Sequence, residues 1–267
     1  MFDRLVPFTT LQTLNFLPWS RINSPNSGAG KALREALRTV ACADGCQCAF
    51  WARKVGSDEE DAFVITIWSS ETHEVEFFAS ETWGSTLNEL RGFLLPSATS
   101  GDYGDRQRYR QFHGPGFSPL NTISTREHEI ITFNFRKAAA TSENISEFNL
   151  RVSNFLAAFF SNIGTVDTGK ARVKVFSGGW TAASSTRGEV GEGSEVPLTY
   201  VAFMSWDDEG AKERFKTEDR DWGFFLEKVE GMIEGVEREG FRGLLRGVSA
   251  GGSRAQYGFE SETDDEE

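Results

Sequence analysis

WSSETHEVEFFASETW, residues 68–83, and SWDDEGAKERFKTEDRDW, residues 205–222, are two versions of one pattern. A shift of 138 residues lays Trp68 on Trp206, Phe77 on Phe215 and Glu81 on Asp219, and brings Trp83 within one residue of Trp222. Carried outward, the same shift puts Ile65 on Phe203 and Leu87 on Phe225. Shared tryptophan and phenylalanine are less often accidental than shared alanine or glutamate, so the chain reads as an internal duplication.

Elements build out from this anchor. In the first half, 30–42 carries Leu33, Ala36, Leu37 and Val40 at helical spacing, started by Ser27 and Gly28. Segments 47–54 and 62–69 read as a hairpin around the polar turn 56–61, and 71–80 and 84–94 follow as helices. In the second half, 129–136 reads as a strand. A helix over 146–163 repeats Phe148, Val152, Phe155, Leu156, Phe159 and Phe160 at spacings of three and four, with Ser142 and Asn144 as candidate caps. Strands at 170–176 and 198–206, helices at 209–216 and 222–236, and a closing strand at 241–248 complete it. Each unit is strand–helix–strand–strand–helix–helix–strand, a split β-α-β plan with helices on one sheet face. The other face stays apolar and must be covered, and two units cover each other by stacking sheets.

The resemblance that follows rests on Val64, Ile65, Thr66, Ile67, Trp68 and Ser69 with Glu71, Phe77, Ser80 and Glu81. In the second copy it rests on residues 200–206 with Asp208, Phe215, Glu218 and Asp219. A strand ending in Trp, an acidic helix start, then Phe resembles the dimeric α/β-barrel group, the antibiotic-biosynthesis-monooxygenase-like branch of ferredoxin-like folds. It covers roughly 1–95 and 127–250. It implies an α+β fold of two tandem ferredoxin-like units stacked as a pseudo-dimeric α/β barrel. The units are expected at 1–125, with a long loop at 96–119, and at 126–250, before a disordered acidic tail at 251–267. The group includes cofactor-free oxygenases, haem-handling proteins, isomerases and proteins with no shown activity.

Composition bounds the function. The 267 residues carry 28 Lys and Arg against 40 Asp and Glu, net −12, which disfavours a broad phosphate-binding surface and hence nucleic acid. No apolar run is long enough for a membrane span. The apolar start, 1–20, is broken by Asp3, Thr9, Gln12 and Asn15 and does not read as a signal peptide. Three cysteines cannot pair completely, so a reduced cytoplasmic setting is expected. Six acids fall in the last eight residues, where Ser261 and Thr263 resemble sites for an acid-directed kinase. The stretch 184–196 reads as a flexible hairpin tip.

The motifs of common chemistries are absent: there is no G-x-S-x-G, G-x-G-x-x-G or H-E-x-x-H, and Gly28-Ala29-Gly30-Lys31 lacks phosphate-loop spacing. Cys42, Cys46 and Cys48 lack a nearby fourth ligand, so no metal is expected, and strand alternation places Cys46 and Cys48 on one face. Trp68 and Trp206 are core anchors or pocket wall. His73 reads as an exposed residue among acids. His113 and His128 are the candidate catalytic bases. Thr132 and Asn134, polar within an apolar strand, are candidate pocket residues or surface groups. In 96–119, Arg106, Arg108 and Arg110 alternate with Tyr109, Phe112 and other aromatics. That suits a lid over an anion or flat ligand; alternatively, the arginines pair with the protein's own acids.

The expected function is binding of a small apolar or aromatic molecule, with Asn134, Thr132, Arg108, Arg110, Tyr109, Phe112, Trp68 and Trp206 in contact. Cofactor-free oxygenation or acid–base conversion is the catalytic form of this reading, and no cofactor is expected. A non-catalytic interaction or stress-associated role is the alternative. Haem binding, implied only by the resemblance, is the second. The chain is expected as a monomeric pseudo-dimer or a homodimer.

Overall fold

Antiparallel pairing organises the chain. The computed structural model describes residues 7–54, 60–95, 106–113, 127–161, 175–181, 199–218, 220–242 and 246–248. The hairpin tip 184–196, the acidic tail with Ser261 and Thr263, and the parts of 96–119 outside 106–113 lie outside them.

The first half runs β1 (Phe8–Phe16), α1 (Gly28–Ala41), β2 (Cys46–Arg53), β3 (Glu60–Trp68), α2 (Glu71–Phe78), α3 (Glu81–Arg91) and β4 (Arg106–His113). The second runs β5 (Glu127–Phe135), a single 3-10 turn Lys137–Ala139, α4 (Ser142–Ser161), β6 (Val175–Thr181), β7 (Thr199–Trp206), α5 (Glu209–Glu218), α6 (Arg220–Val229), β8 (Ile233–Arg242) and β9 (Arg246–Val248). The start of α1 is capped as the sequence suggests, Ser27 Oγ accepting from Gly30 N at 2.9 Å; Ser80, expected at the end of the preceding helix, instead caps α3, its Oγ accepting from Trp83 N at 3.2 Å.

Each half has the ferredoxin-like strand order, β4-β1-β3-β2 and β8-β5-β7-β6, and the two join at β6-β4. The seams are built alike. β4 pairs with β1 through Arg106–Arg110 and with β6 through Tyr109–His113. β8 pairs with β5, and three residues further on β9 pairs with Ala49, Phe50 and Trp51 of β2. The two ends of the nine-stranded order are thus consecutive in the chain, and the sheet closes into a barrel.

Alternation along the strands then fills two kinds of core. Leu11, Phe50, Phe63, Ile65, Tyr109, Ile130, Val201 and Phe203, drawn from both halves, pack inside the barrel. Phe63 stacks on Phe203 across the halves at 6.2 Å. Outside, each sheet half carries its helices on a separate aromatic core. The repeat is real in space. Trp68 meets Phe77 at 5.4 Å and Trp206 meets Phe215 at 5.6 Å. Phe77 meets Trp83 at 5.7 Å and Phe215 meets Trp222 at 5.6 Å.

Four expectations are corrected. Residues 106–113, expected within a loop, form β4 in the middle of the sheet. The helix expected over 222–236 ends at Val229, and Ile233 already belongs to β8. Val229, Met232, Ile233 and Val236 imitate helical spacing, but the turn through Gly231 breaks it and the ladder with β5 takes over. β6 lies at Val175–Thr181 rather than 170–176, whose residues 170–174 are outside the described set. Its Gly178 is required: a Cβ there would sit 2.4 Å from the Tyr200 hydroxyl. The cap of α4 is Thr141, whose Oγ1 accepts from Asn144 N at 3.2 Å, not Ser142 or Asn144.

Candidate functional site

The sequence-derived candidates scatter over two environments. Inside the barrel, His128 is wholly buried, registered opposite Ser205 on β7 and stacked on Phe203 at 5.7 Å. Tyr109, also wholly buried, is registered opposite Thr9, and its hydroxyl donates to Ser177 Oγ at 3.0 Å. Burial pushes the Tyr109 hydroxyl well above its ordinary value, with the Ser177 contact opposing. Further along the same face of β5, Thr132 and Asn134 are half-buried. Asn134 Nδ2 donates to Glu237 Oε1 at 2.8 Å, and Thr199 Oγ1 donates to Asn134 Oδ1 at 3.3 Å.

Outside the barrel, Trp68 and Trp206 lie wholly buried beneath their helices, and Trp68 Nε1 donates to Thr66 Oγ1 at 3.0 Å. Arg108 leaves the opposite sheet face from Tyr109. It grips Glu74 through Nε at 3.2 Å and Nη2 at 2.6 Å, approaches Glu71 at 3.5 Å, and lies 5.1 Å over the Phe8 ring. Glu74 is itself 0% exposed and accepts from Thr10 Oγ1 at 3.3 Å. Arg108 is therefore committed to the protein's own acids. Arg110, Phe112 and His113 belong to the backbone of β4, but their side chains lie outside the described residues. Among the described residues, no three His, Cys, Asp or Glu side chains are grouped to hold a metal ion.

Among the described residues, the spaces between sheet and helices are occupied. In the first half, Leu14, Leu33, Leu37, Val64, Phe78 and Trp83 leave a cavity of only about 20 Å³, room for one water. In the second, Phe133, Phe148, Tyr200, Phe225 and Trp222 fill the layer, with Phe148 meeting Tyr200 at 5.0 Å and Phe133 meeting Phe225 at 5.9 Å.

An open cleft of about 650 Å³ lies instead on the rim, between the end of α1 and the α2–α3 pair. Glu35, Arg38, Thr39, Cys42, Asp44 and Glu76 give it polar walls, and Phe77 and Ala43 apolar ones. His73 also lines it, half-buried rather than exposed. Its Nδ1 is 2.7 Å from Ser70 Oγ and 3.0 Å from Ser69 Oγ. Ser70 Oγ also accepts from His73 N at 3.3 Å, fixing the ring at the start of α2. The cleft had no sequence signal, because its residues come from three elements. Only the S-x-x-H spacing of Ser70 and His73, a capping pattern, was open to reading.

One interior group carries a stability prediction. Ser205 Oγ is buried with no hydrogen-bond partner among the described residues. Ser205→Ala should therefore leave stability within about 0.5 kcal/mol of the parent or raise it. A thermal-unfolding loss above about 1 kcal/mol would show a hydrogen bond holding that hydroxyl.

No family model matches the chain, and no curated protein matches it in sequence. Solved structures do. A provisionally designated monooxygenase from Fusobacterium nucleatum subsp. nucleatum is similar with a TM-score of 0.56 at 11% identity, over 93% of this chain and 96% of that one. An anthrone oxidase-like protein gives 0.56 at 12% identity, over 92% and 94%. A substituted chlorite dismutase from Candidatus Nitrospira defluvii gives 0.52 at 8% identity, over 92% and 93%. At such identities the likeness is one of fold. The chain has the α+β architecture of the dimeric α/β-barrel proteins, with both ferredoxin-like units in one polypeptide. Among the described residues, no helix is long and apolar enough to cross a membrane.

Haem, which the fold group implies, does not fit the described residues. His128 points into a filled barrel, not into a sheet–helix layer, and aromatic side chains fill the second-half layer.

Proposed function

We propose that this chain binds a small molecule in the rim cleft between α1 and the α2–α3 pair, with the closed barrel as its scaffold. The cleft volume of about 650 Å³ carries the reading. It falls inside the usual range for small-molecule sites, about 300–1,000 Å³. The barrel interior and the described sheet–helix layers are packed with the protein's own side chains. A ligand with one apolar or aromatic face suits Phe77. Three carboxylates against one guanidinium favour a neutral or cationic ligand over an anionic one.

Native mass spectrometry on freshly purified protein tests this, followed by a ligand screen. Bound compound at one per chain, lost when Ala43→Arg fills the cleft, supports the reading. Binding unchanged in Ala43→Arg moves the site elsewhere. No bound molecule from either source favours the alternative, a non-catalytic interaction protein.

A further inference from the structure

Three free thiols fall within seven residues, and the fold treats each differently. Cys42 caps the end of α1 and stands exposed on the rim of the cleft. Cys46 opens β2 and Cys48 follows it. The pairing of β2 with β3 shifts register between them, Cys46 facing Trp68 and Cys48 facing Ile67. This bulge corrects the expectation that the two share a face. Cys46 packs with the helix-side core, whereas Cys48 packs with the barrel interior.

The bulge therefore takes Cys48 away from Cys42 and leaves Cys46 on the side of Cys42. The chain between that pair doubles back tightly. Ala43 N donates to Val40 O at 3.0 Å, Cys46 N donates to Ala43 O at 3.1 Å, and Gly45 takes a left-handed φ of 76°. No other residue suits Gly45, because a Cβ there would lie 2.3 Å from the His73 ring. Cys42 is close enough that its charge would act on Cys46. Burial first, then Cys48, then Cys42 push the Cys46 thiol up to about 12, against an opposing backbone hydrogen bond at Cys48. Cys46 is thus a protonated, half-shielded thiol beside an exposed one.

We infer that Cys42 and Cys46 are a peroxide-oxidisable pair, closing a disulfide across the 43–45 turn. A hydroperoxide transfers one oxygen to the Cys42 thiol, giving the sulfenic acid and releasing the alcohol, or water from hydrogen peroxide. Cys46 sulfur then attacks the Cys42 sulfur, loses its proton, and expels water as the S–S bond forms. Two thiols lose two electrons and the peroxide gains them. The bond would fix the turn whose Gly45 carbonyl accepts from Ser69 N at 2.8 Å and whose Asp44 lines the cleft. The inference rests on the turn and the bulge, not on the cleft having a ligand.

The test treats the full chain with graded hydrogen peroxide and reads intact mass, then differential alkylation of the peptide 39–53, which holds all three thiols. Loss of two hydrogens per chain, reversed by dithiothreitol, with Cys42 and Cys46 protected and Cys48 still alkylated, is the expected result. Cys48→Ser should keep it; Cys42→Ser and Cys46→Ser should each abolish it. A bond involving Cys48, a Cys42-linked dimer, or Cys42 sulfinic acid with Cys46 still a free thiol would overturn the inference. Each variant's far-ultraviolet circular dichroism, expected unchanged, separates loss of the bond from loss of the fold.

Discussion

Phe203→Ala should lower stability by about 3–5 kcal/mol, the cost of a large cavity in a packed core. Phe203 is wholly buried, stacks on Phe63 of the first half at 6.2 Å, and carries His128 at 5.7 Å. It stands where the inner faces of the two halves meet, so little can collapse into the space it leaves. For a domain of this size each kcal/mol shifts the midpoint by about 2–4 °C, so thermal unfolding should fall by about 10 °C. A change under about 1 kcal/mol would mean that the inner faces are not packed together.

Arg108→Met should cost as much by a different route. Glu74 has no exposed surface, and Arg108 holds it with two hydrogen bonds. Removing the guanidinium strands a carboxylate under α2, which costs about 3–5 kcal/mol. Replacing both partners removes the stranded charge, so Arg108→Met with Glu74→Met should recover most of the loss. Chemical denaturation of the two single variants and the double variant closes the cycle. A double variant as unstable as the sum of the singles would show that the pair supports more than itself.

That pair also explains why the sequence was partly opaque. Shifting Glu74 by 138 lands on Lys212, and the mismatch looks like a failure of the repeat. In space it is a reversal. The first half sets an acid on its helix against an arginine on its strand. The second sets Lys212 and Lys216 on α5 against Glu127 and Glu129 on β5, with Lys216 Nζ at 2.9 Å from Glu129 and Arg242 bonded to Glu127. Complementarity survived while residue identity did not, and only identity is visible in one sequence. The tryptophan–phenylalanine anchors, by contrast, kept both, so the duplication, the helices that follow them and the need for two stacked sheets were legible.

β4 was obscured because its sequence, RQRYRQFH, alternates without an apolar period. Arg108 is soluble in the layer only because Glu74 awaits it from another element, and nothing local announces that partner. β6 was shifted because Gly178, a weak strand residue by itself, makes room for Tyr200 in the fold. The candidate site failed to assemble for a related reason. Thr132 and Asn134, polar inside a strand, and His128 just before it were legible as unusual, but whether a strand face meets a cavity or a filled barrel depends on the opposite half. The rim cleft draws on α1, the turn after it and the α2–α3 pair, and no contiguous stretch carries its signature.

Two ferredoxin-like halves complete one barrel by covering each other's inner face. Residues 1–125 expressed alone are examined by size-exclusion chromatography with light scattering. The inner face would then expose Leu11, Phe50, Phe63 and Ile65 to water. Aggregation is the expected result, or a dimer in which a second copy takes the place of the missing half. A soluble, cooperatively folded monomer of residues 1–125 would contradict it.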